Sequence, residues 1–343
     1  MALVLSLPKP SSTAPGSCEV PAFRVERIGI ALALFEPKPE FLIEQLASIV
    51  AQTWTAWTCI VTADSPLAEL RTNPRCAPFF ADARFQWHEN SRRRGFLANF
   101  ERAIQLCVSG QADAIACCDQ DDVWEVDKLA ALAAALEKVG PLALVHSDLS
   151  ILSTDGTMCR GDSVWTVEQR GIAQVSPEHL LVRNVVTGCA MLFDAELARR
   201  MPMIPEAARY HDRWYALIAA CHGGVHGVPK PLVRYRQHGS QAVGMRAGMT
   251  ITTVFPAFLA WVRETDLTEW ARQATCAWRS YVLLSEAVTR LGLVAPRRRN
   301  GWYVFLLGIR WVRRDVNLCV HACVLALGSV MALREQTSRP ATQ

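Results

Sequence analysis

The strongest chemical signal in the sequence is a group of three carboxylates within four residues, Asp119, Asp121 and Asp122. They directly follow an apolar run at 114–118 that predicts a buried β-strand. Carboxylates this close repel one another, and a divalent cation such as Mg²⁺ or Mn²⁺ would relieve that repulsion while also binding a substrate phosphate. The alternative is a solvated acidic turn before the next helix, because acidic side chains interact favourably with a helix N-terminus. The acids alone favour neither interpretation.

Two later segments contain side chains suited to acid–base or metal chemistry. Asp212, in the segment 211–214 that opens a predicted helix, is a candidate general base if it faces a substrate. The alternative is that it only caps the helix. His238 follows a Val-rich strand and is a candidate metal ligand through its neutral imidazole, or else a histidine in a surface loop. Its neighbours Arg234 and Arg236 are candidates for binding phosphate, or are simply solvated.

Two glycine-containing segments are candidates for close contact with an anionic ligand. Three consecutive arginines, ending at Arg94, precede Gly95 and a predicted helix whose N-terminus can itself bind an anion. A diphosphate is a natural partner for this arrangement, although a run of charges in a loop is usually only solvated. Thr187 and Gly188 form the second segment, where the glycine either lets the backbone approach a ligand or turns the chain.

The elements that would position these residues alternate along the chain. The pattern of apolar residues predicts strands at 28–34, 59–61, 84–88, 114–118 and 142–152, with helices near 41–50, 95–108 and 125–138. Such alternation predicts an α/β fold with a mostly parallel sheet that is covered by helices on both faces. Ligands bind beyond the carboxyl ends of the strands in such sheets. Glu36, Asp64 and Asp119 each follow a predicted strand, so the sequence predicts a binding site at that edge.

Composition indicates a folded chain and excludes several classes of protein. The chain has 343 residues, of which 51% are hydrophobic and 20% charged, so it can bury a large core and is not intrinsically disordered. A net charge of +4 is too small to argue for nucleic-acid binding over the whole surface. The 12 cysteines form no CxxC pair, and no signal peptide is apparent, which favours a reducing, cytosolic location.

Taken in order, these motifs resemble those of family 2 glycosyltransferases, in particular the bacterial rhamnosyltransferase-like branch. The resemblance covers roughly residues 28–245. It rests on the segments 33–36, 41–53, 57–64, 95–100, 119–124, 127–129, 186–189, 211–214 and 235–239. Several motifs in the same order are far more specific than any one of them.

The resemblance implies a GT-A fold and an inverting, metal-dependent transfer of a sugar from a nucleotide-sugar donor. Asp212 would be the base that deprotonates the acceptor hydroxyl, during one in-line displacement at the anomeric carbon. Asp121, Asp119 and His238 would hold Mg²⁺ or Mn²⁺, whose charge would stabilise the departing diphosphate. The donor would contact a larger set of residues, namely Leu34, Phe35, Glu36, Asp64, Arg94, Gly95, Asp119, Gln120, Thr187, Gly188 and Arg236. The branch suggests dTDP-rhamnose, a donor of L-rhamnose, as the first to test.

The chain departs from the family pattern in the part that would contact the nucleotide. The family often has Thr-Tyr-Asn where this chain has Leu-Phe-Glu at 34–36, and it usually has Asp-Asp-Gly-Ser where this chain has Ala-Asp-Ser-Pro at 63–66. A family asparagine is replaced by Arg93. The carboxylates that would carry out the chemistry are intact, so the resemblance implies an active enzyme without fixing its base or its sugar.

The C-terminal part of the chain combines basic and aromatic residues in predicted helices. Six arginines and no acid lie within 297–314, a pattern typical of a helix on an anionic membrane surface. The segment 316–333 is almost free of charge and close to the length of a spanning helix, but Asn317 and His321 favour peripheral association instead. Packing of these helices on the domain, or in a dimer, is a further alternative.

Three regions are therefore predicted: a flexible leader at 1–26, a GT-A domain at 27–245 and a helical, membrane-associated region at 246–343. The predicted function is sugar transfer to a glycan or lipid-linked acceptor in cell-surface polysaccharide synthesis, at the cytoplasmic face of the plasma membrane. The alternative is a catalytically impaired module that binds a nucleotide sugar or a glycan. A nucleotidyltransferase would more naturally have a glycine-rich phosphate loop, and residues 33–41 contain no glycine. No nucleic-acid partner is expected, because residues 1–245 lack aromatic stacking motifs.

Overall fold

A computed structural model describes residues 22–153, 158–168, 174–175, 177, 180 and 184–237. Its strands are β1 (Ile28–Leu34), β2 (Trp57–Ala63), β3 (Phe85–Glu89), β4 (Ala114–Cys118), β5 (Val123–Trp124), β6 (Leu144–Leu152), β7 (Met158–Ser163), β8 (Gln174–Val175), β9 (Met191–Asp194) and β10 (Val225–Arg236). Its α-helices are α1 (Pro39–Val50), α2 (Ala68–Thr72), α3 (Ala77–Ala81), α4 (Phe96–Ser109), α5 (Lys128–Val139), α6 (Val164–Glu168), α7 (Ala195–Arg200) and α8 (His211–Ala220). Two 3₁₀ turns lie at Gly188–Ala190 and Glu206–Ala208.

These strands form one mixed sheet with the order β3-β2-β1-β4-β9-β6-β10-β5, to which β7 and β8 add at the side. The first four strands in that order are parallel. Strand β9 then runs antiparallel to both β4 and β6, whereas β10 runs parallel to β6. The α/β class and the GT-A type of sheet are confirmed. The parallel arrangement predicted from strand–helix alternation is found where β1–β4 alternate with helices, and the sheet becomes mixed from β9 onwards.

Side chains of the central strands are buried on both faces of the sheet, as the continuous apolar runs in the sequence require. Alternate residues of β1 face opposite sides. Ile30 and Leu32 belong to a core cluster with Leu46 of α1, while Ala31 belongs to a second cluster with Phe100 of α4. Helices therefore cover both faces, as predicted.

Helix α4 lies unusually close to β1, and a glycine makes this possible. A Cβ atom added at Gly29 would lie 2.7 Å from Cβ of Cys107 and 3.0 Å from Cβ of Ala112. Those distances are shorter than van der Waals contact, so a larger residue would push the helix away from the strand. At the other end of α4, its first turn lies next to the carboxyl ends of β1 and β2, where Asn99 Nδ2 donates to the carbonyls of Leu34 and Thr62.

The first and last described residues can be compared with the predicted leader at 1–26 and the predicted C-terminal region at 246–343. Residues 22–26, which the sequence assigned to the leader, already contact the domain: Val25 is buried and its N–H donates to Glu137 Oε1 over 2.9 Å. The rest of the leader lies outside the described residues. So do His238, the end of the predicted GT-A domain and the whole predicted helical region at 246–343. Among the described residues, the helices are too short or too polar to cross a bilayer.

Candidate active site

Three predicted site residues meet at the carboxyl edge of the parallel strands. Asp64 directly follows β2, Asp119 directly follows β4, and Glu36 lies in the turn after β1. Because β1 pairs with both β2 and β4, these three strand ends are neighbours. The structure therefore brings these three residues to one edge of the sheet, as the sequence predicted.

The acidic turn after β4 forms a compact cluster with a cysteine from elsewhere in the chain. One ligand atom each of Asp119, Asp122 and Cys189 lies within 4.8 Å of the others. Asp122 is fully buried; its Oδ1 accepts from the N–H of Arg236 over 3.0 Å, while Oδ2 has no hydrogen-bond donor within the described part of the chain. Burial and the charge of Asp121 raise the pKa of Asp122 to about 7.

The neighbouring carboxyl is affected in the same direction. Loss of water around Asp119 raises its pKa, and so do the charges of Asp122, Asp121 and Asp212. These acids therefore compete for ionisation, and a bound cation would relieve that competition. An unpartnered buried carboxylate oxygen beside a second carboxyl fits an oxygen-preferring divalent cation.

Not every member of this cluster suits such a cation. Mg²⁺ and Mn²⁺ prefer oxygen ligands, whereas the thiol of Cys189 is a soft ligand, and burial raises its pKa. Asp121, which the sequence predicted as a ligand, lies outside the closely spaced trio, although its charge reaches both Asp119 and Asp122. It is only half-buried, and it lies on the more open side of the turn than Asp122. Asp119 and Asp121 are thus the accessible oxygen donors, with Asp122 behind them.

Arg236 does not extend into the open site, contrary to the prediction that it contacts the donor. The residue is 1% exposed. Its Nη2 donates to Glu44 Oε2 over 2.5 Å, its Nε donates to the carbonyl of Asp121 over 2.8 Å, and the guanidinium packs over the ring of Phe41. Together with the N–H that bonds Asp122, these contacts brace the acidic turn from behind. A phosphate would have to displace them, so the position of Arg236 corrects that prediction.

Leu34 and Asp64 also differ from the expectation that they line a nucleoside pocket. Leu34 is fully buried in the core, and only its carbonyl is used at the edge, as an acceptor for the N–H of Asp64. The carboxylate of Asp64 accepts from the backbone N–H groups of Arg94 and Gly95, over 3.0 and 2.8 Å. Asp64 therefore fixes the loop before α4, and Gly95 supports this with a positive φ of 85° that favours glycine.

A buried network of side-chain amides next to Asp64 was not predicted from the sequence. Asn90 Nδ2 donates to both Asp64 Oδ1 and Asn99 Oδ1, over 2.6 and 2.8 Å. Asn99 Nδ2 in turn donates to the carbonyls of Leu34 and Thr62. The ends of β1, β2 and β3 are thereby tied to α4. The available signal was that Asn90 follows β3 directly, as Asp64 follows β2.

Gln120 and Phe35 link the ends of β4 and β1. Gln120 Oε1 accepts from the N–H of Phe35 and its Nε2 donates to the Phe35 carbonyl, over 2.9 and 3.1 Å. The Phe35 ring is 36% exposed, and the guanidinium of Arg93 lies 4.0 Å from its centre. Next to it, Glu36 has a φ of 43°, and its N–H donates to Ser65 Oγ. Phe35 and Phe96 are thus exposed apolar side chains at this edge, and the guanidinium of Arg93 lies over the ring of Phe35.

The Thr187–Gly188 segment contacts the helix that contains the candidate base. Gly188 begins a 3₁₀ turn, and a Cβ atom added to it would lie 2.6 Å from His211 Nε2 and 3.7 Å from Cβ of Asp212. His211 is buried and stacks on Phe100 with ring centres 3.9 Å apart, and burial lowers its pKa to about 3. Asp212 lies near enough to raise the pKa of Asp119. The structure therefore brings the predicted base and the acidic turn together.

Comparison with protein-family models matches residues 33–193 to Glycosyl transferase family 2. The domain belongs to this family. The match begins within β1 and ends within β9, so it includes the acidic turn and the Thr187–Gly188 segment of this glycosyltransferase. A search of curated proteins finds no match.

Solved structures with the same fold include TarS of S. aureus. The TarS 1-349 structure in complex with UDP-GlcNAc has a TM-score of 0.52 and 9% sequence identity, covering 92% of this chain and 93% of that chain. The structure of the same TarS segment with UDP has a TM-score of 0.52 and 10% identity, with the same coverage. At this identity the similarity establishes the fold of the glycosyltransferase and not its substrate.

Proposed function

We propose that this family 2 glycosyltransferase is an inverting, divalent-metal-dependent enzyme that transfers a sugar from a pyrimidine nucleoside diphosphate donor. The observation that carries the proposal is that one turn contacts both parts of the site. Cys189 in this turn lies within 4.8 Å of the carboxylates of Asp119 and Asp122, and a Cβ atom added at the adjacent Gly188 would lie 3.7 Å from Cβ of Asp212. An inverting transfer needs a base and a diphosphate site on the two sides of one anomeric carbon.

In the proposed mechanism, Asp212 accepts the proton of the acceptor hydroxyl while that oxygen attacks the anomeric carbon. The bond to the diphosphate breaks in the same step, so the configuration inverts. Asp119 and Asp121 would hold the cation, with His238 as the further predicted ligand. A bound Mg²⁺ or Mn²⁺ supplies charge that stabilises the leaving diphosphate. The neutral, buried imidazole of His211 supports the start of α8 without competing with Asp212 for the proton.

The two candidate donors, a uridine diphosphate sugar and dTDP-rhamnose, share a diphosphate and a pyrimidine base. TarS was crystallised with UDP-GlcNAc and with UDP, which supports a uridine diphosphate sugar. dTDP-rhamnose, the donor suggested by the rhamnosyltransferase-like motifs, has the same diphosphate and a closely related pyrimidine base. The comparisons give rhamnose no support. Phe35 is suited to stack on either base, because every nucleobase has an apolar face.

A donor screen tests the proposal. Purified full-length protein is incubated with Mg²⁺ or Mn²⁺ and a panel of nucleotide sugars that includes UDP-GlcNAc and dTDP-rhamnose, and free nucleoside diphosphate is measured. Slow hydrolysis of one donor that stops when a chelator is added is the expected result. Absence of both turnover and binding for every donor would overturn the proposal.

The acceptor and the location of the reaction rest on the sequence alone. We propose a glycan or lipid-linked acceptor in cell-surface polysaccharide synthesis, and peripheral association of the region 246–343 with the inner face of the plasma membrane. The arginines within 297–314 would attract anionic lipids. A chain truncated at Ala295 should bind anionic vesicles less than the full chain does. Equal binding of the two would overturn the membrane proposal and leave the donor proposal intact.

A further inference from the structure

Lys128 is a buried cation that the reaction as described does not use. It is the first residue of α5 and its side chain is fully buried. Its Nζ donates to the carbonyl of Cys189 over 2.6 Å and lies 3.1 Å from the centre of the Trp124 ring. Removing an ammonium group from water is unfavourable unless specific partners compensate, and lysine is rarely buried in full. A buried lysine in this position therefore requires an explanation.

Neither helix formation nor packing supplies that explanation. A cation in the first turn of a helix opposes the helix dipole, and the acid at this helix start, the N-cap residue Asp127, is partly exposed and pairs with Lys230. An apolar residue of similar volume would pack in the same space without the loss of hydration. Burial lowers the pKa of Lys128 to about 8, and the nearby charge of Asp122 acts in the opposite direction. The contacts that distinguish a lysine here are the bond to the Cys189 carbonyl and the neighbouring carboxylate of Asp122.

The bond from Lys128 holds one particular turn of the chain. Cys189 is the middle residue of the 3₁₀ turn Gly188–Ala190, which lies 61 residues away in sequence. On one side of this turn, the thiol of Cys189 adjoins the acidic cluster. On the other side, Gly188 contacts the start of α8, where Asp212 is located. The turn thus contacts both the acidic cluster and the start of the helix that contains the candidate base.

We propose that Lys128 is a positioning residue of the glycosyl transfer, whose ammonium group fixes the Gly188–Ala190 turn and thereby the position of Asp212 relative to the acidic turn. The inference rests on the proposed function, because it assigns Asp212 the role of base. The acidic turn continues through Trp124 of β5 into Lys128 at the start of α5. One short segment therefore contains both the carboxylates and the group that holds the opposite side of the site.

The first test compares two lysines in the same region. Lys128→Met removes the ammonium and keeps most of the side-chain volume, whereas Lys230→Met removes an exposed lysine that pairs with Asp127, the residue next to Lys128. Misplacement of a catalytic group by about 1 Å can lower turnover by about 100-fold, so Lys128→Met should lower kcat for donor hydrolysis by about 10- to 100-fold. The Kd of UDP with Mn²⁺ should change less than about threefold, because Asp119 and Asp121, which would hold the cation, are unchanged. Lys230→Met should change neither quantity.

A second readout does not depend on activity. Amide hydrogen exchange should become faster in the Gly188–Ala190 turn and in the first turn of α8 in Lys128→Met, and should not change there in Lys230→Met. Gly188→Ala disturbs the same turn from its other side, since its Cβ would lie 2.6 Å from His211 Nε2. Gly188→Ala should give the same loss of kcat with retained UDP affinity. If Lys128→Met does not fold, Gly188→Ala replaces it as the test variant. The double variant should lose less than the product of the single effects.

Two results would overturn the inference while leaving the proposed function intact. One is wild-type kcat in folded Lys128→Met. The other is unchanged exchange at both segments, which would show that Lys128 holds neither of them. If the wild-type protein instead binds and hydrolyses no donor, the proposed function fails, and the exchange experiment still decides whether Lys128 holds the turn.

Discussion

The site has two sides that differ in how their buried polar groups are paired. On the β1–β3 side, the side chains of Asp64, Asn90 and Asn99 hydrogen-bond to one another and to the surrounding backbone. On the acidic-turn side, Asp122 Oδ2 and both ring nitrogens of His211 have no hydrogen-bond partner within the part of the chain that the structure describes. Asp64, Asn90 and Asn99 are thus held by their own hydrogen bonds, whereas the acidic turn retains a buried carboxylate oxygen that a cation could use.

The two sides also contain two aspartates, Asp64 and Asp119, that look alike in the sequence but have different surroundings. Asp64 and Asp119 both follow a strand of the parallel sheet. The oxygens of Asp64 accept three hydrogen bonds from the loop and from Asn90, whereas Asp119 faces three other carboxylates. Position at a strand end therefore predicts where the site is, while the surrounding donors determine which acid is available for chemistry.

The largest expected effect is on the acidic-turn side, at the candidate base. Asp212→Asn keeps the shape of the side chain but cannot accept the proton, so kcat for donor turnover should fall by about 100- to 10,000-fold. The affinity for UDP with Mn²⁺, measured by calorimetry, should stay close to that of the wild type. Retained turnover in this variant would remove Asp212 from the mechanism.

A variant on the β1–β3 side should instead lower stability. Asn99→Ala would remove the hydrogen bonds that Asn99 donates to the carbonyls of Leu34 and Thr62 and one of the two that Asn90 Nδ2 donates, which should lower the free energy of unfolding by about 2–3 kcal/mol. Urea denaturation measures this change, with Asn73→Ala as a control at a less buried turn. A loss below about 0.5 kcal/mol would mean that the network does not stabilise the strand ends.

Two adjacent acids allow a direct comparison within the acidic turn. Asp121→Asn should weaken Mn²⁺-dependent UDP binding by about tenfold without changing Tm, because one oxygen ligand loses its charge. Asp122→Asn should mainly lower Tm, because Asp122 is buried and bonds the N–H of Arg236. The reverse pattern would place the cation among Asp119, Asp122 and Cys189.

The smallest expected effect is a pH dependence of stability. Burial lowers the pKa of His211 to about 3, below the ordinary value of the unfolded chain, so folding excludes a proton that the unfolded chain binds below about pH 6.5. Stability is therefore fully present above that pH and declines as the pH falls. Between pH 7 and 5.5, the wild-type free energy of unfolding should fall by about 1 kcal/mol because of this group. His211→Gln lacks the group, so its free energy of unfolding, measured by urea titration at each pH, should fall by about 1 kcal/mol less over the same range. If the wild type and His211→Gln lost the same free energy of unfolding over this range, His211 would not be the source of the pH dependence.

Much of the fold could be predicted from the sequence, because the apolar runs that form β1 and β4 and the stripe that forms α4 depend on local pattern. The location of the site followed from the acids at the strand ends. The pairing of individual side chains could not be predicted, because it depends on contacts between distant segments. Arg236 has the residue type of a phosphate ligand, yet Glu44 and Phe41 hold it in the interior. Asn99 lies in the middle of an amphipathic stripe and gives no sign in sequence of its partners at Leu34 and Thr62.

Calorimetric titration of UDP into the full-length protein tests the central claim most directly. We expect binding in the presence of Mn²⁺ that disappears when a chelator is added and that weakens in Asp121→Asn. Binding that is unaffected by the chelator would contradict a metal-assisted diphosphate site at the acidic turn. Absence of binding to both UDP and dTDP would contradict the proposed function as a whole.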